Sequence, residues 1–297
     1  MADPAWVALS LVGRLGGRTF RALIDRFGSP EEVLAAAPEH LRSVRGIGPL
    51  LTAAIGAVDL PRITDDLTKW RTAGVRVLDW GDPAYPERLR EVPDAPPTLF
   101  VKGQWPVMTP RAVAVVGTRN ASPAARNVAQ QLGFDLAETG ITVVSGLALG
   151  IDSAAHFAAM ASPSGVTTAV LGSGILNVYP YNHREIARAV EQRGALLCEV
   201  RPDAQVNASA LVARNRIISG LCEAIVIVQT DIDGGALHAA RFAQAQGRTV
   251  YAIDDPLGSS DARRGIEHLR GIGAVMLPAG VSGIDWLINK KPPGTGG

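Results

Sequence analysis

Three glycine-rich loops carry side chains that could bind an anion. They span residues 117–122 (G-T-R-N-A-S), 145–152 (S-G-L-A-L-G-I-D) and 172–174 (G-S-G). Glycine lets the backbone approach a ligand closely, hydroxyl and guanidinium groups donate hydrogen bonds, and a helix that follows such a loop offers free N–H groups. We therefore predict one site of phosphate size. Its predicted contact residues in these loops are Gly117, Thr118, Arg119, Ser122, Ser145, Gly146, Gly150, Gly172 and Gly174.

A fourth segment concentrates positive charge at the start of a predicted helix. Residues 213–221 read A-R-N-R-I-I-S-G-L, in which the isoleucines and the last leucine form an apolar stripe. Arg214, Asn215 and Arg216 are predicted to add two guanidinium groups and an amide to the anion site. Ion pairs with carboxylates inside the protein are the alternative role for the two arginines.

These residues do not specify a reaction. The sequence has no Ser-His-Asp, metal-ligand or P-loop spacing, and its glycines do not follow the G-x-G-x-x-G pattern of a dinucleotide site. We therefore predict no catalytic residue, no metal and no cofactor. Asp152 is expected to cap the helix that carries His156, so both residues are assigned structural roles beside the site.

Seven short apolar runs would position these loops. Amphipathic segments of helical length separate the runs, and the runs show no polar alternation, so each strand should be buried on both faces. The pattern predicts an α/β fold over residues 111–289, with a Rossmann-like, mostly parallel sheet and helices on both faces. Ligands of such sheets bind at the carboxyl ends of the strands, where the glycine-rich loops lie. The runs are 112–116, 141–144, 168–171, 195–200, 224–228, 249–253 and 274–277.

Shorter helices are predicted in residues 1–60. Residues 29–32 (S-P-E-E) combine a capping serine, a first-turn proline and two acids that favour a helix start. Residues 41–55 match a helix-hairpin-helix pattern with two glycines in the turn, which predicts a small N-terminal helical, SAM-like domain. Such a turn can bind phosphate or serve only the fold, and both roles stay open. Residues 61–110 are rich in proline and are predicted to be extended, and residues 290–297 are predicted to form a flexible tail.

Composition bounds the class of protein. The chain has 297 residues, 47% of them hydrophobic and 19% charged, which is typical of a globular protein and excludes disordered, collagen-like and disulfide-built chains. Only four of its 29 basic residues are lysine, and arginine suits phosphate oxygens and base faces better. Cys198 and Cys222 are predicted to be buried thiols. The start has no signal-peptide pattern and no apolar run reaches membrane-spanning length, so a cytoplasmic protein is expected, with no membrane partner.

Taken together, these motifs resemble those of the DNA-processing protein A family (DprA, also called Smf). Residues 113–119 resemble the family's V-A-[IV]-V-G-[ST]-R block, and residues 143–156 are similar to its V-V-S-G-x-A-x-G-I-D-x-x-A-H block. Residues 179–183 look like its Y-P-x-x-[NH] block, and residues 214–218 look like the start of R-N-R-I-I-A-G-L.

The resemblance implies a non-enzymatic protein that binds single-stranded DNA, protects incoming DNA and helps to load the RecA recombinase during natural transformation. It also implies a homodimer formed through the Rossmann domain. By matched position, Arg119, Arg214, Asn215 and Arg216 would line the DNA-binding pocket. Two departures concern that pocket: residues 210–213 (A-L-V-A) lack the aromatic that often precedes R-N-R, and Glu267 replaces an asparagine and would repel phosphate if it faced the groove.

Two other functions remain open at this point. One is a nucleotide-ligand sensor or a nucleotide-processing enzyme of the related LOG type. The P-G-G-x-G-T-x-x-E motif of that enzyme class is reduced to D-G-G-A-L-H over residues 233–238, which lacks the Gly-Thr pair and the glutamate. The other is an interaction scaffold with a vestigial pocket. Mononucleotide binding that persists at high salt would favour the sensor.

Overall fold

The computed structural model describes residues 2–105, 111–254, 259–281 and 284–288. Within these ranges the strands are β1 (Arg76–Asp79), β2 (Thr98–Gly103), β3 (Ala112–Val116), β4 (Thr142–Ser145), β5 (Thr167–Val170), β6 (Ala195–Cys198), β7 (Ala224–Ile227), β8 (Thr249–Asp254) and β9 (Val275–Pro278). They form one sheet in the order β1-β2-β6-β5-β4-β3-β7-β8-β9. All neighbours from β6 to β9 pair in parallel, whereas β1–β2 and β2–β6 are antiparallel.

The predicted α/β fold, with a mostly parallel Rossmann-like sheet, is confirmed. Each of the seven apolar runs overlaps a strand, and the starts of run and strand agree to within one residue. Strand β3 shows why these runs lack polar alternation: Val113 and Val115 pack against the helices on one face, and Ala114 and Val116 pack against those on the other. All five of its residues are buried, so a polar side chain at any of them would lose its water.

Helices cover both faces of the sheet. Helices α7, α12, α13 and α14 pack on one face, and α8, α9, α10 and α15 pack on the opposite face. Their bounds are α7 (Glu87–Arg90), α8 (Pro123–Glu138), α9 (Ile151–Ala161), α10 (Arg184–Arg193), α11 (Ala208–Ala213), α12 (Asn215–Leu221), α13 (Gly235–Ala245), α14 (Ser260–Gly271) and α15 (Asp285–Ile288).

Among the described residues, five helices lie within residues 1–60, where the sequence predicts short helices, and a sixth begins at Leu60 and leads to the sheet. Ser29 caps the third of them by accepting a hydrogen bond from the N–H of Glu32 (3.3 Å), and Gly46 turns the hairpin with φ +94°. A separate core cluster buries Leu41, Val44 and Ile55. The helices are α1 (Pro4–Ser10), α2 (Gly17–Phe27), α3 (Pro30–Ala35), α4 (Pro38–Leu41), α5 (Pro49–Gly56) and α6 (Leu60–Thr72).

The expectation of an extended chain over residues 61–110 is wrong for its first part. Helix α6 has 13 residues and begins directly after Asp59, which caps it by accepting a hydrogen bond from the N–H of Arg62 (3.0 Å). Pro61 sits in the first turn, where a backbone N–H has no partner within the helix, so its missing N–H costs nothing. Strands β1 and β2 also lie in this segment and extend the sheet. The predicted flexible tail, 290–297, lies outside the described residues.

Both cysteines are buried and free, as predicted. Burial in apolar surroundings raises the pKa of the Cys198 thiol to about 12 and raises that of Cys222 as well. Among the described helices, none has the length and apolar character needed to cross a bilayer.

Candidate functional site

A cleft of about 450 Å³ opens at the carboxyl edge of the sheet, between β3 and β7. The chain continues from β3 to β4 on one side and returns to β7 on the other, so the loops diverge here and leave a crevice. The cleft is lined by Val116, Gly117, Thr118, Arg119, Ala148, Asp152, Ala208, Leu211, Val212, Arg214, Asn215, Gly234, Gly235, Ala236 and Ala239.

Arg119 is the exposed cation of this cleft. Its loop is fixed by backbone contacts: the N–H of Thr118 donates to the carbonyl of Gln229 (2.7 Å), and the N–H of Ser122 donates to the side chain of Gln229 (3.0 Å). No described carboxylate lies within ion-pair distance of the Arg119 guanidinium. A rigid loop therefore presents an unneutralised guanidinium to the cleft.

Ser122 has a different role from the predicted anion contact. Its Oγ accepts a hydrogen bond from the N–H of Ala125 (3.1 Å) and so caps α8. It does not line the cleft. The expectation that Ser122 contacts an anion is corrected to a role in holding the Arg119 loop against the helix.

Arg214 lies in the floor of the cleft and is almost completely buried. Its Nη1 donates to the carbonyl oxygens of Gly146 and Val170, and its Nη2 lies 4.0 Å from Oδ2 of Asp152. Burial lowers the pKa of Arg214, and the Asp152 charge opposes that shift. The guanidinium thus joins the ends of β4 and β5 through Nη1, whereas its buried Nε has no hydrogen-bond partner among the described residues.

Gly146 leaves the space that Arg214 occupies. A Cβ at this position would lie 2.5 Å from Cζ of Arg214 and 2.8 Å from Oδ2 of Asp152. Gly150 turns the same loop with φ +79°, and a Cβ there would lie 2.7 Å from the carbonyl oxygen of Arg119. These two glycines therefore serve contacts between loops, and Gly146 also borders the mouth of the cleft.

The expectation that Asp152 caps its helix is wrong. Asp152 is the second residue of α9, whose first residue follows Gly150, and no described side chain caps this helix. The positive φ of Gly150 folds the loop back over the carboxylate, which accepts from the N–H groups of Gly146 (3.0 Å) and Ala148 (3.3 Å). Burial raises the pKa of Asp152, while Arg214 and the backbone donors pull it down. Asp152 therefore organises the loop.

His156 is fully buried and lies outside the cleft lining. Thr167 donates its hydroxyl to the carbonyl of Val143 (2.8 Å), so it accepts from His156 Nδ1 (2.7 Å), and Nδ1 carries the proton. Nε2 has no hydrogen-bond partner among the described residues. Burial lowers the pKa of His156 to about 3, so the ring is neutral at physiological pH.

Three further predicted contacts lie behind the site. Ser145 donates its hydroxyl to the carbonyl of Val115 (2.7 Å) and is buried. A Cβ on Gly172 would lie 2.7 Å from Cα of Leu211, and one on Gly174 would lie 2.6 Å from the backbone N of Ala204. The expectation that Ser145, Gly172 and Gly174 touch an anion is corrected, because other parts of the chain already occupy the space in front of them.

The two polar residues beside Arg214 diverge. Asn215 lines the cleft and donates from Nδ2 to the carbonyl of Gly235 (3.4 Å). Arg216 faces the opposite way, where it pairs with Glu199 and its Nε lies 3.6 Å from Asp94. Successive residues of a helix are rotated by about 100°, and in α12 this rotation turns Arg216 away from the cleft that Asn215 lines. The expectation that Arg216 lines the pocket is wrong, and the alternative of an internal ion pair holds for it.

The wall opposite Arg119 is formed by residues outside the predicted set of anion contacts. It is the loop after β7 and the start of α13, with Gly234 and Gly235. No described side chain caps α13, and a Cβ on Gly235 would meet nothing within 4 Å. The sequence signal for this wall is the pair of glycines after β7, because ligands bind at the carboxyl ends of strands and this rule applies to β7 as it does to β3. Glu267 is exposed on α14 and does not line the cleft.

Comparison with known proteins identifies the family. The model of the family DNA recombination-mediator protein A matches residues 76–282. The chain belongs to this family. It is similar to the DNA processing protein DprA of Streptococcus pneumoniae, with 36% identity over 67% of this chain and 70% of that protein.

Solved structures of the family give the same result. The X-ray structure of DNA processing protein A from Streptococcus pneumoniae matches with a TM-score of 0.81 and 27% identity, covering 97% of this chain and 98% of that one. The structure of DNA processing protein A from Helicobacter pylori, described as having a unique single-stranded DNA binding mode, matches with a TM-score of 0.63 and 27% identity over 73% of this chain and 94% of that one.

Proposed function

We propose that this chain binds single-stranded DNA in the cleft between β3 and β7 and acts without catalysing a reaction. The observation that carries the proposal is Arg119, an exposed guanidinium with no described carboxylate partner, held on a rigid loop at the mouth of the cleft. A phosphate supplies the charge that this group lacks. The family membership and the DNA-binding mode attributed to the Helicobacter pylori relative support it.

The opposite wall suits the same ligand. The N-terminus of α13 bears partial positive charge, and its first amides have no described side-chain cap. The empty space beside Gly235 leaves room for a phosphate oxygen to reach these amides. Asn215 adds an amide between the two walls. In the proposed complex, phosphates contact Arg119 and the α13 terminus, and the apolar side chains of α11 face the sugars and bases.

The proposed role in the cell is protection of incoming DNA and loading of RecA during natural transformation, by a homodimer formed through the sheet domain. Family membership supports this role. Two measurements test it: sedimentation equilibrium for the dimer, and the rate at which purified RecA forms filaments on coated single strands with and without this protein. A monomeric chain that leaves that rate unchanged would overturn the proposed role.

A nucleotide sensor is the second candidate, and the size of the cleft favours it. A volume of about 450 Å³ lies in the range of pockets that hold small ligands. The two candidates differ in how strongly their binding affinity depends on salt. Binding of a strand releases several counterions condensed on its phosphates, whereas binding of a mononucleotide does not. Mononucleotide binding that persists at high salt, without any preference for strands, would favour the sensor.

The decisive experiment measures fluorescence anisotropy of a labelled oligothymidine and of the matching duplex across a salt series. The test variant is Arg119→Ala. The matched control is Arg193→Ala, which removes an exposed guanidinium from the end of α10, at the opposite edge of the sheet. Arg214 is unsuitable as a test position because its loss would disturb the loops that it joins.

We expect the wild type to prefer the single strand, and Arg119→Ala to weaken binding by about tenfold. The slope of log affinity against log salt should fall by about 0.7, the value for one phosphate contact on a single strand. Arg193→Ala should match the wild type. Equal binding of both variants, or equal affinity for duplex, would overturn the proposed site.

A further inference from the structure

The cleft continues past Arg119 into a second depression at its mouth. This depression shares Arg119, Ala148, Leu211 and Arg214 with the cleft, and it adds Leu149, Tyr179 and Pro180 on the far side. A strand that leaves the cleft in this direction would therefore meet the segment that leads into α10.

Tyr181 stands exposed on that segment in a fixed position. Its ring centroid lies 6.0 Å from that of Tyr179 at an angle of 84°, and its hydroxyl lies within hydrogen-bond distance of Oε1 of Gln205 (3.3 Å). The guanidinium carbon of Arg184 lies 5.2 Å from the Tyr181 ring centroid. Three contacts hold the ring, yet 51% of the residue stays accessible. The exposed part of this ring is therefore available for stacking against another aromatic ring.

The charge beside this ring is positive. No described carboxylate lies within ion-pair distance of Arg184, whereas its neighbour Arg188 pairs with Glu185 (2.7 Å). Beyond Arg184 a groove of about 330 Å³ continues toward Lys102, which pairs with Glu191 (3.7 Å). Arg184 is thus the cation in this groove that the described carboxylates leave unneutralised.

We propose that Tyr179, Tyr181 and Arg184 form a second subsite for single-stranded DNA, in which a base stacks on Tyr181 and the adjoining phosphate contacts Arg184. The inference rests on the proposed function and extends it, because it gives the strand a direction of exit from the cleft. Aromatic rings beside unpaired guanidinium groups are what sequence-independent single-strand binders use, since every base has a face that can stack.

The test compares oligothymidines of increasing length. The wild type should gain affinity with length in two stages, first as the cleft fills and then as the second subsite fills. Tyr181→Ala should lose the second gain, which corresponds to about five- to hundredfold for one stacked base, and should bind the shortest oligonucleotides like the wild type. Tyr181→Phe keeps the ring and should restore the gain. Arg184→Gln should lower the salt slope by about 0.7 for the longer oligonucleotides only.

Phe157→Ala is the matched control, because Phe157 is an aromatic residue on α9, 54% exposed, that lines neither depression. Thermal unfolding of each variant confirms that it is folded. Suppose that the wild type binds strands, that Arg119→Ala lowers the affinity, and that Tyr181→Ala and Arg184→Gln match the wild type at every length. The second subsite is then wrong, and the proposed binding in the cleft is retained. If the wild type binds no strand, both proposals fall.

Discussion

The guanidinium of Arg214 occupies a space that only glycine at position 146 leaves open. We predict that Gly146→Ala destabilises the fold by about 3 kcal/mol, because its methyl group would displace Arg214 or Asp152 and break a buried pair. The midpoint of urea unfolding measures this loss. Gly271→Ala is the matched control: a Cβ there meets nothing within 4 Å, so its stability should change by less than about 1 kcal/mol. Equal stability of the two variants would contradict the prediction.

His156 gives the fold a dependence on pH that can be isolated. Its pKa is about 3 in the folded protein, against 6.5 for a histidine in water, so its contribution is complete above about pH 6.5 and is lost as the pH falls toward 3. At one pK unit per 1.4 kcal/mol, lowering the pH to 5 should cost about 2 kcal/mol.

His156→Leu removes this group and keeps a buried apolar side chain. We expect the stability difference between wild type and variant to shrink by about 2 kcal/mol between pH 7.5 and pH 5. Urea unfolding of both proteins at the two pH values measures that difference, and titration of other groups cancels in it. A difference that stays constant would mean that the folded ring takes up its proton without penalty.

At the scale of elements, the N-terminus of α13 offers a test that separates stability from binding. We predict that Gly235→Ala leaves the fold as stable or raises its stability by up to about 1 kcal/mol, because alanine suits a helix better than glycine. The same methyl group would occupy the space proposed for a phosphate oxygen, so single-strand affinity should fall severalfold. Thermal unfolding and anisotropy measure the two effects. Unchanged affinity would mean that phosphate does not approach this terminus.

The seven parallel strands could be predicted because burial on both faces leaves a continuous apolar run in the sequence. The same reasoning overlooked β1 and β2, which lie among prolines and join the sheet in antiparallel fashion at its edge. Helix α6 departs from the prediction for a related reason, since the prolines of the segment indicate an extended chain and only Asp59 signals a helix start. In this segment the overall composition indicates an extended chain, whereas a single capping residue indicates a helix.

The sequence predicts which loops meet at the cleft, because backbone position decides that placement. The cleft lies at the carboxyl edge of the sheet and contains Arg119 and Asn215, as the loop positions indicate. The sequence could not reveal that Arg216 faces Glu199, or that Leu211 covers Gly172, because both contacts join residues from separate elements. Direct contact of any of these residues with DNA remains a prediction.

At the scale of the whole molecule, Arg201 links the N-terminal helices to the sheet. Its Nη2 lies 2.7 Å from Oδ2 of Asp66 on α6, and its guanidinium lies 5.1 Å from the ring centroid of Trp70 on the same helix. Burial raises the pKa of Asp66, but the hydrogen bond and charge of Arg201 outweigh it and lower that pKa below its usual range. The link joins α6 to the loop that leads toward the α11 wall of the cleft.

We predict a coupling energy of about 1 kcal/mol between Asp66 and Arg201. A double-mutant cycle with Asp66→Asn and Arg201→Gln, followed by urea unfolding, measures it. The exposed pair of Arg188 and Glu185 on α10 provides the comparison, and its coupling should be smaller because water screens both partners. Equal coupling energies would mean that the pair of Asp66 and Arg201 stabilises the fold no more than an exposed surface ion pair does.

The burial of Cys198 and Cys222 has a practical consequence. A thiol reacts with maleimide dyes as the thiolate, and both native thiols are inaccessible and protonated at neutral pH. A single cysteine introduced at exposed Ser209 on α11 would therefore take up one fluorophore at a known place beside the cleft, without removal of the native cysteines. With this one substitution, the chain would be suited to single-molecule spectroscopy of a strand as it enters and leaves the cleft.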